Sequence, residues 1–67
     1  MTLEHWITEV GPSTVAKRLR IKQTTVCNWQ KYRALPRAKM MVRIHKISFG
    51  AVTYKEMVED FAKNNKQ

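Results

Sequence analysis

The chain has 67 residues, a formal net charge of +8 and one cysteine, Cys27. That length supports one domain around one small core, burying roughly 60% of the unfolded surface. A lone cysteine excludes an intrachain disulfide, and no Cys/His set has zinc-ligand spacing, so neither a disulfide scaffold nor a metal centre is expected.

The predicted elements are all helical. Leu3, Trp6, Ile7 and Val10 repeat at i, i+3, i+4, i+7, the stripe of an amphipathic helix. Thr2 can cap it and Glu4 suits its positive first turn. Gly11 and Pro12 are expected to stop it. Ser13 or Thr14 can cap a second helix, with Val15, Ala16 and Leu19 inward and Lys17 and Arg18 outward. A third helix spans Gln23 to about Lys31, with Val26 and Trp29 as its inward pair. Leu35-Pro36 opens a fourth, with Pro36 at the first helical position. Met40, Ile44 and Ile47, with Met41 beside them, form its inner face, and Lys39, Arg43 and Lys46 follow i, i+4, i+7 on another.

Thr53-Tyr54-Lys55-Glu56 reads as a capping box for a fifth helix, in which Tyr54, Met57, Val58 and Phe61 repeat the apolar stripe. Ala51-Val52 is too short for a strand. Residues 63–67 hold no apolar side chain and are expected to form a disordered tail. The expectation is therefore an all-α protein, a single five-helix domain over residues 1–62. No apolar run approaches the roughly 18 residues of a membrane span. The first residues lack the basic-then-apolar layout of a secretory signal. A soluble, cytoplasmic protein in a reducing setting follows as an expectation, with no membrane contact.

Charge is unevenly placed. Residues 1–16 carry two acids and no Lys or Arg, and residues 47–67 balance to zero. Residues 17–46 carry ten cations and no acid. A solvated basic surface would aid solubility, but solubility does not require acids to be absent from the block. A polyanion is the better-matched partner. No nucleotide loop, carboxylate pair or catalytic triad is present, and His5 and His45 lie far from Cys27 in sequence, so no enzyme is expected.

Thr14 to Lys31 is the informative segment. A helix-turn-helix needs two short helices crossing steeply, with a small residue at their closest approach. Ala16 supplies it, and Val15, Leu19, Ile21, Val26 and Trp29 supply the buried apolar positions. This spacing resembles the helix-turn-helix of the phage Cro and repressor family. Beyond it, Leu35-Pro36, an apolar-basic helix and Gly50-Ala51-Val52-Thr53-Tyr54 resemble the all-helical branch of the Cro proteins and small regulators of the YdaS type. The likeness runs from Ser13 to Phe61. One departure is Arg20, at a turn position that is usually Gly because its backbone is left-handed. A non-Gly residue there costs on the order of 1 kcal/mol.

The resemblance implies a sequence-specific DNA-binding repressor of bacteriophage type. The third helix would enter the major groove by its amino-terminal end. Asn and Gln can bond both N6 and N7 of adenine, Lys can reach guanine, and a Thr methyl can pack on thymine. Base reading then maps onto Gln23, Thr24, Thr25, Cys27, Asn28 and Lys31. Phosphate contacts map onto Thr14, Lys17, Arg20, Lys22, Arg33, Arg37 and Lys39. The implied partner is a pseudo-palindromic double-stranded operator in a bacterial host cell, bound by a weak homodimer touching near Ile47 to Val58, with Phe49 as its anchor. No cofactor or small-molecule ligand is implied. The alternative is an antitoxin-like or other protein-interaction module on the same fold. It would show a large exposed apolar patch on the fourth and fifth helices. A cationic membrane-surface protein fits less well, because the fifth helix is acidic.

Overall fold

The computed structural model describes residues 1–65 and contains five helices: α1 (Leu3–Val10), α2 (Pro12–Leu19), α3 (Gln23–Gln30), α4 (Ala38–Ile47) and α5 (Tyr54–Asn64). Among the described residues there is no strand, so the expected all-α class holds. The first and last helices start as their sequences indicate. The Thr2 hydroxyl accepts the His5 N–H at 3.2 Å, and the Thr53 hydroxyl accepts the Glu56 N–H at 3.2 Å. The Glu56 side chain does not mirror that second bond on an orphaned N–H. It accepts from the Thr53 hydroxyl at 3.1 Å and from the Met1 ammonium at 2.6 Å. The ammonium, first among the causes, holds the Glu56 carboxyl below its ordinary range.

α2, α3 and α4 end in one shared way. In each, the N–H of one residue reaches back five positions, and the N–H before it reaches back three. The pairs are Ile21 to Ala16 (3.0 Å) with Arg20 to Lys17 (3.3 Å), Arg33 to Asn28 (2.9 Å) with Tyr32 to Trp29 (3.2 Å), and Gly50 to His45 (2.9 Å) with Phe49 to Lys46 (3.1 Å). This Schellman pattern satisfies the last carbonyls and puts one residue in the left-handed region. Those residues are Arg20 (φ 57°), Tyr32 (φ 59°) and Phe49 (φ 55°). Glycine fills none of the three positions, although no L side chain is comfortable there.

The core draws on every helix. Leu3, Trp6 and Ile7 of α1, Val15, Ala16 and Leu19 of α2, and Val26 and Trp29 of α3 are buried together with Ile44, Val52 and Met57. Met40, Met41, Ile47, Val10, Ile21 and Leu35 pack around them, half-buried. α1, α2 and α3 pack on one another, while α4 packs on α2 and α5. Ser48 is the one buried polar side chain among the described residues. Its hydroxyl donates to the His45 carbonyl and accepts from the Val52 N–H, so it carries no unmet bond.

Four expectations are corrected. Ser13 and Thr14 do not cap α2, which starts earlier. Gly11 (φ 99°, ψ 130°) is its cap and Pro12 its first residue, so one residue ends α1 and opens α2. Pro36 does not open α4. It is buried, Arg37 is extended (ψ 162°), and the helix begins at Ala38. Tyr54 and Val58 do not face the core: of the α5 stripe Met57 is buried and Phe61 half-buried, while Tyr54 and Val58 are exposed. The expected tail at 63–67 starts too early, since Lys63 and Asn64 are helical and the Asn64 amide donates to the Asp60 carbonyl at 2.8 Å. Residues 66 and 67 of that tail lie outside the described residues.

Candidate nucleic-acid interface

α3 is held from behind. Val26 and Trp29 are buried against α1 and α2, and the Gln30 amide donates to the Thr8 hydroxyl of α1 at 3.0 Å. Fixing the inward side fixes the outward one. At about 100° per residue, Thr24, Cys27, Asn28 and Lys31 lie opposite Val26 and Trp29, with Gln23 at the leading end. Gln23, Thr24 and Lys31 are exposed, whereas Thr25, Cys27 and Asn28 are half-buried. Cys27, whose outward helical phase predicts an exposed thiol, is thus partly covered. The outer stripe offers amides, a hydroxyl, a thiol and an ammonium, and no carboxylate.

α3 is reached from α2 through Arg20, Ile21 and Lys22. Arg20 is left-handed (φ 57°, ψ 47°), as the resemblance implied, and Ile21 packs half-buried against the core. Lys17, Arg20, Lys22, Arg33, Arg37 and Lys39 are all exposed, and Thr14 is half-buried. Among the described residues no acid forms an ion pair with any cation of residues 17–46. The three ion pairs join Met1 to Glu56, His5 to Glu9, and Lys55 to Glu59. The positive field over this region is therefore not cancelled locally.

Two features escaped the sequence. The first lies behind the end of α3, where the Tyr32 hydroxyl donates to the Asp60 carboxylate of α5 at 2.8 Å. Burial first, then the bond to Asp60 and the charges of Asp60 and Glu4, push the Tyr32 phenol up to about 12. This tie fixes the loop that carries Arg33. The second is a basic trough. Arg18, Arg20, Arg43 and Lys46 line a hollow of about 280 Å³ between the end of α2 and α4, floored by Leu19 and Ile47. A neighbouring hollow of about 420 Å³ shares Arg43 and Lys46 and adds Lys39, Met40 and Val42. The spacing of Lys39, Arg43 and Lys46 announced one wall, but nothing in the sequence set Arg18 and Arg20 opposite.

Phe49 is 95% exposed, and Val42, Tyr54 and Val58 are exposed too. His45 stacks on Tyr54, ring centroids 5.1 Å apart, and its Nδ1 lies 3.1 Å from the Val52 carbonyl. No three His, Cys, Asp or Glu side chains gather around a possible metal position among the described residues. Among the described residues no helix is long and apolar enough to cross a membrane. Comparison of the chain with protein-family models, with curated proteins and with solved structures finds no match.

Proposed function

We propose that the chain is a sequence-specific DNA-binding regulator, a Cro-like repressor in which α2 and α3 act as a helix-turn-helix. The observation that carries this reading is the α2–Arg20–α3 unit. A three-residue turn whose first residue, Arg20, is left-handed joins two eight-residue helices over Val15, Ala16, Leu19, Val26 and Trp29, and the outer face of the unit carries no acid. α3 is the reading helix. Gln23, Thr24, Cys27 and Asn28 meet base edges, with Thr25 and Lys31 at the margins. Thr14, Lys17, Arg20, Lys22, Arg33, Arg37 and Lys39 meet phosphates, which position the protein without reading sequence.

One reading helix spans only a few base pairs, so two copies would occupy a pseudo-palindromic operator, about one helical turn apart. Phe49 is the anchor of this weak dimer, since an aromatic ring so exposed gains most from being covered. Occupying a promoter would block transcription by exclusion, in the cytoplasm of a bacterial cell. A second reading has its own support. Val42, Phe49, Tyr54 and Val58 are exposed on α4, α5 and their connection, as an antitoxin-like protein-binding module requires.

The test separates base from phosphate contacts. Operators are selected from a random pool, then titrated with salt against scrambled duplex. Asn28→Ala and Gln23→Ala should each cost about 1–3 kcal/mol on the operator and little on scrambled DNA. Lys17→Ala and Arg37→Ala should weaken both alike and flatten the log-affinity against log-salt slope by about one. Equal losses on both duplexes for Asn28→Ala and Gln23→Ala would remove α3 as the reading element. Wild-type protein that selects no sequence would leave the protein-binding reading in its place.

A further inference from the structure

The trough between α2 and α4 gathers like charges that the fold does nothing to neutralise. Arg18, Arg20, Arg43 and Lys46 converge over Leu19 and Ile47, and no described acid pairs with them. Helix ends account for part of this. Cations favour the negative C-terminal end of a helix, and Arg18 and Lys46 lie in the last turns of α2 and α4. That attraction fades beyond one turn, so it accounts for neither Arg43 nor Lys39.

The cations also form a line. Lys39, Arg43 and Lys46 follow i, i+4, i+7 along α4, a span of roughly 10 Å at 1.5 Å per residue. Arg18 and Arg20 face that row from the α2 side of the hollow. A row of that length exceeds one phosphate and matches a run of them on a nucleic-acid strand. Its position matters as well. α2 packs against both α3 and α4, whereas α3 and α4 have little contact with each other. The trough thus lies along the seam between α2 and α4, with Arg20 of the α2–α3 turn at its edge.

We propose that this trough binds nucleic-acid phosphodiester backbone lying outside the segment that α3 contacts. The backbone comes either from the flank of the same duplex or from a second duplex. The proposal rests on the DNA-binding reading but not on sequence preference, so all its tests use random-sequence DNA. Arg43→Gln/Lys46→Gln removes two exposed charges, and unfolding curves confirm that the variant is folded. Arg43→Lys/Lys46→Arg keeps both charges and serves as its control.

Binding is measured on a duplex no longer than one half-site and on one extended by a helical turn at each end. A third arm asks whether protein on a tethered duplex captures a free labelled one. The neutral variant should match wild type on the short duplex. On the extended duplex it should bind several-fold more weakly, with a salt slope lower by about two, at roughly 0.9 per lost phosphate contact. That result assigns the flank. Loss of capture in the third arm, with the extended duplex unaffected, assigns a second duplex. The charge-preserving control should behave as wild type in every arm. Wild-type behaviour of the neutral variant throughout would overturn the proposal. So would an equal loss on the short duplex, or a matching loss in the charge-preserving control. A wild-type protein that binds random DNA by this trough yet selects no operator would sink the reading by α3 and leave the trough standing.

Discussion

Tyr32 and Phe49 are both aromatic, both left-handed (φ 59° and 55°), and both close a helix by the same pair of backbone bonds. Each bears a strain of about 1–2 kcal/mol that glycine would not. They differ in what the ring does next. Tyr32 turns into the protein beside Trp29, Pro36 and Phe61, and its hydroxyl binds Asp60 at 2.8 Å. Phe49 turns outward and is 95% exposed. The strain at Tyr32 is offset within the chain, by packing and by a bond to a charged acceptor. The strain at Phe49 has no such return within the chain. Of two residues with one backbone geometry, then, Tyr32 is a lock and Phe49 is the better candidate for contact with another molecule.

The largest effect should come from breaking the lock. Tyr32→Ala keeps the left-handed strain and loses both ring and hydroxyl, so it should destabilise the fold by about 2–3 kcal/mol in denaturant unfolding. Unchanged stability would mean that the strain and the contacts of Tyr32 cancel. Tyr32→Phe isolates the hydroxyl and should cost about 1 kcal/mol, because a charged acceptor raises the worth of the bond while partial exposure lowers it. It should also alter the alkaline limb. The folded phenol titrates near 12 against 10.0 unfolded, so the folded state holds its proton longer. That stabilisation is complete below about pH 10 and is lost as pH rises towards 12, where the unfolded chain ionises first. Lysines titrate in the same range, so the readout is the difference between wild type and Tyr32→Phe. Parallel stability curves from pH 9 to 12 would show that the bond to Asp60 is not held in solution.

The same contrast shows what a sequence can disclose. The end of α2 was legible, because Ile21 is apolar out of helical phase, and left-handed Arg20 only through the resemblance, which places it at a turn position that is usually Gly. Tyr32 and Phe49 were not, because the usual signal for that position is Gly or Asn and neither stands there. Gly50 even points one residue too far. Thr2 and Thr53 marked helix starts correctly, since a side-chain cap is written in one residue. Gly11-Pro12 was read as a stop alone, although a residue that leaves one helix can cap the next. Pro36 fits a first helical position by its fixed φ, but the same ring can be buried in a loop, and packing chose that. Apolar period named the inward pair of α3 and hence its outer stripe. Period alone could not say whether a neighbour would cover Tyr54 and Val58, nor bring Arg18 to Arg43. Those depend on how helices distant in sequence meet.

A smaller effect tests the other side of the comparison. Phe49→Asn keeps a residue that tolerates the left-handed region and removes a ring that the chain does not pack. The isolated protein should gain about 1 kcal/mol in thermal unfolding. If Phe49 anchors a second copy, the variant should also lose affinity for a two-half-site operator while matching wild type on a single half-site. A loss of stability would show that the exposed ring contributes to the fold. Equal binding on both duplexes would leave Phe49 without a role in assembly on DNA.

The smallest effect belongs to Arg20, the third left-handed residue, which lies between the other two in character. It is exposed like Phe49, yet it borders the α2–α4 trough and has a use for its charge. Arg20→Gly removes the strain but frees the unfolded chain, a cost of about 0.4–1 kcal/mol that Asn would not carry. It also removes a cation from the negative end of α2, worth a few tenths of a kcal/mol. The net gain should therefore be about 0.5 kcal/mol, below that of Phe49→Asn. DNA affinity should fall slightly and alike for operator and random sequence, because a phosphate contact carries no base information. The measurement pairs thermal unfolding with a salt titration. A clear drop in melting temperature would mean that the guanidinium holds the turn together. A change in base preference would mean that Arg20 reaches into the groove beside α3.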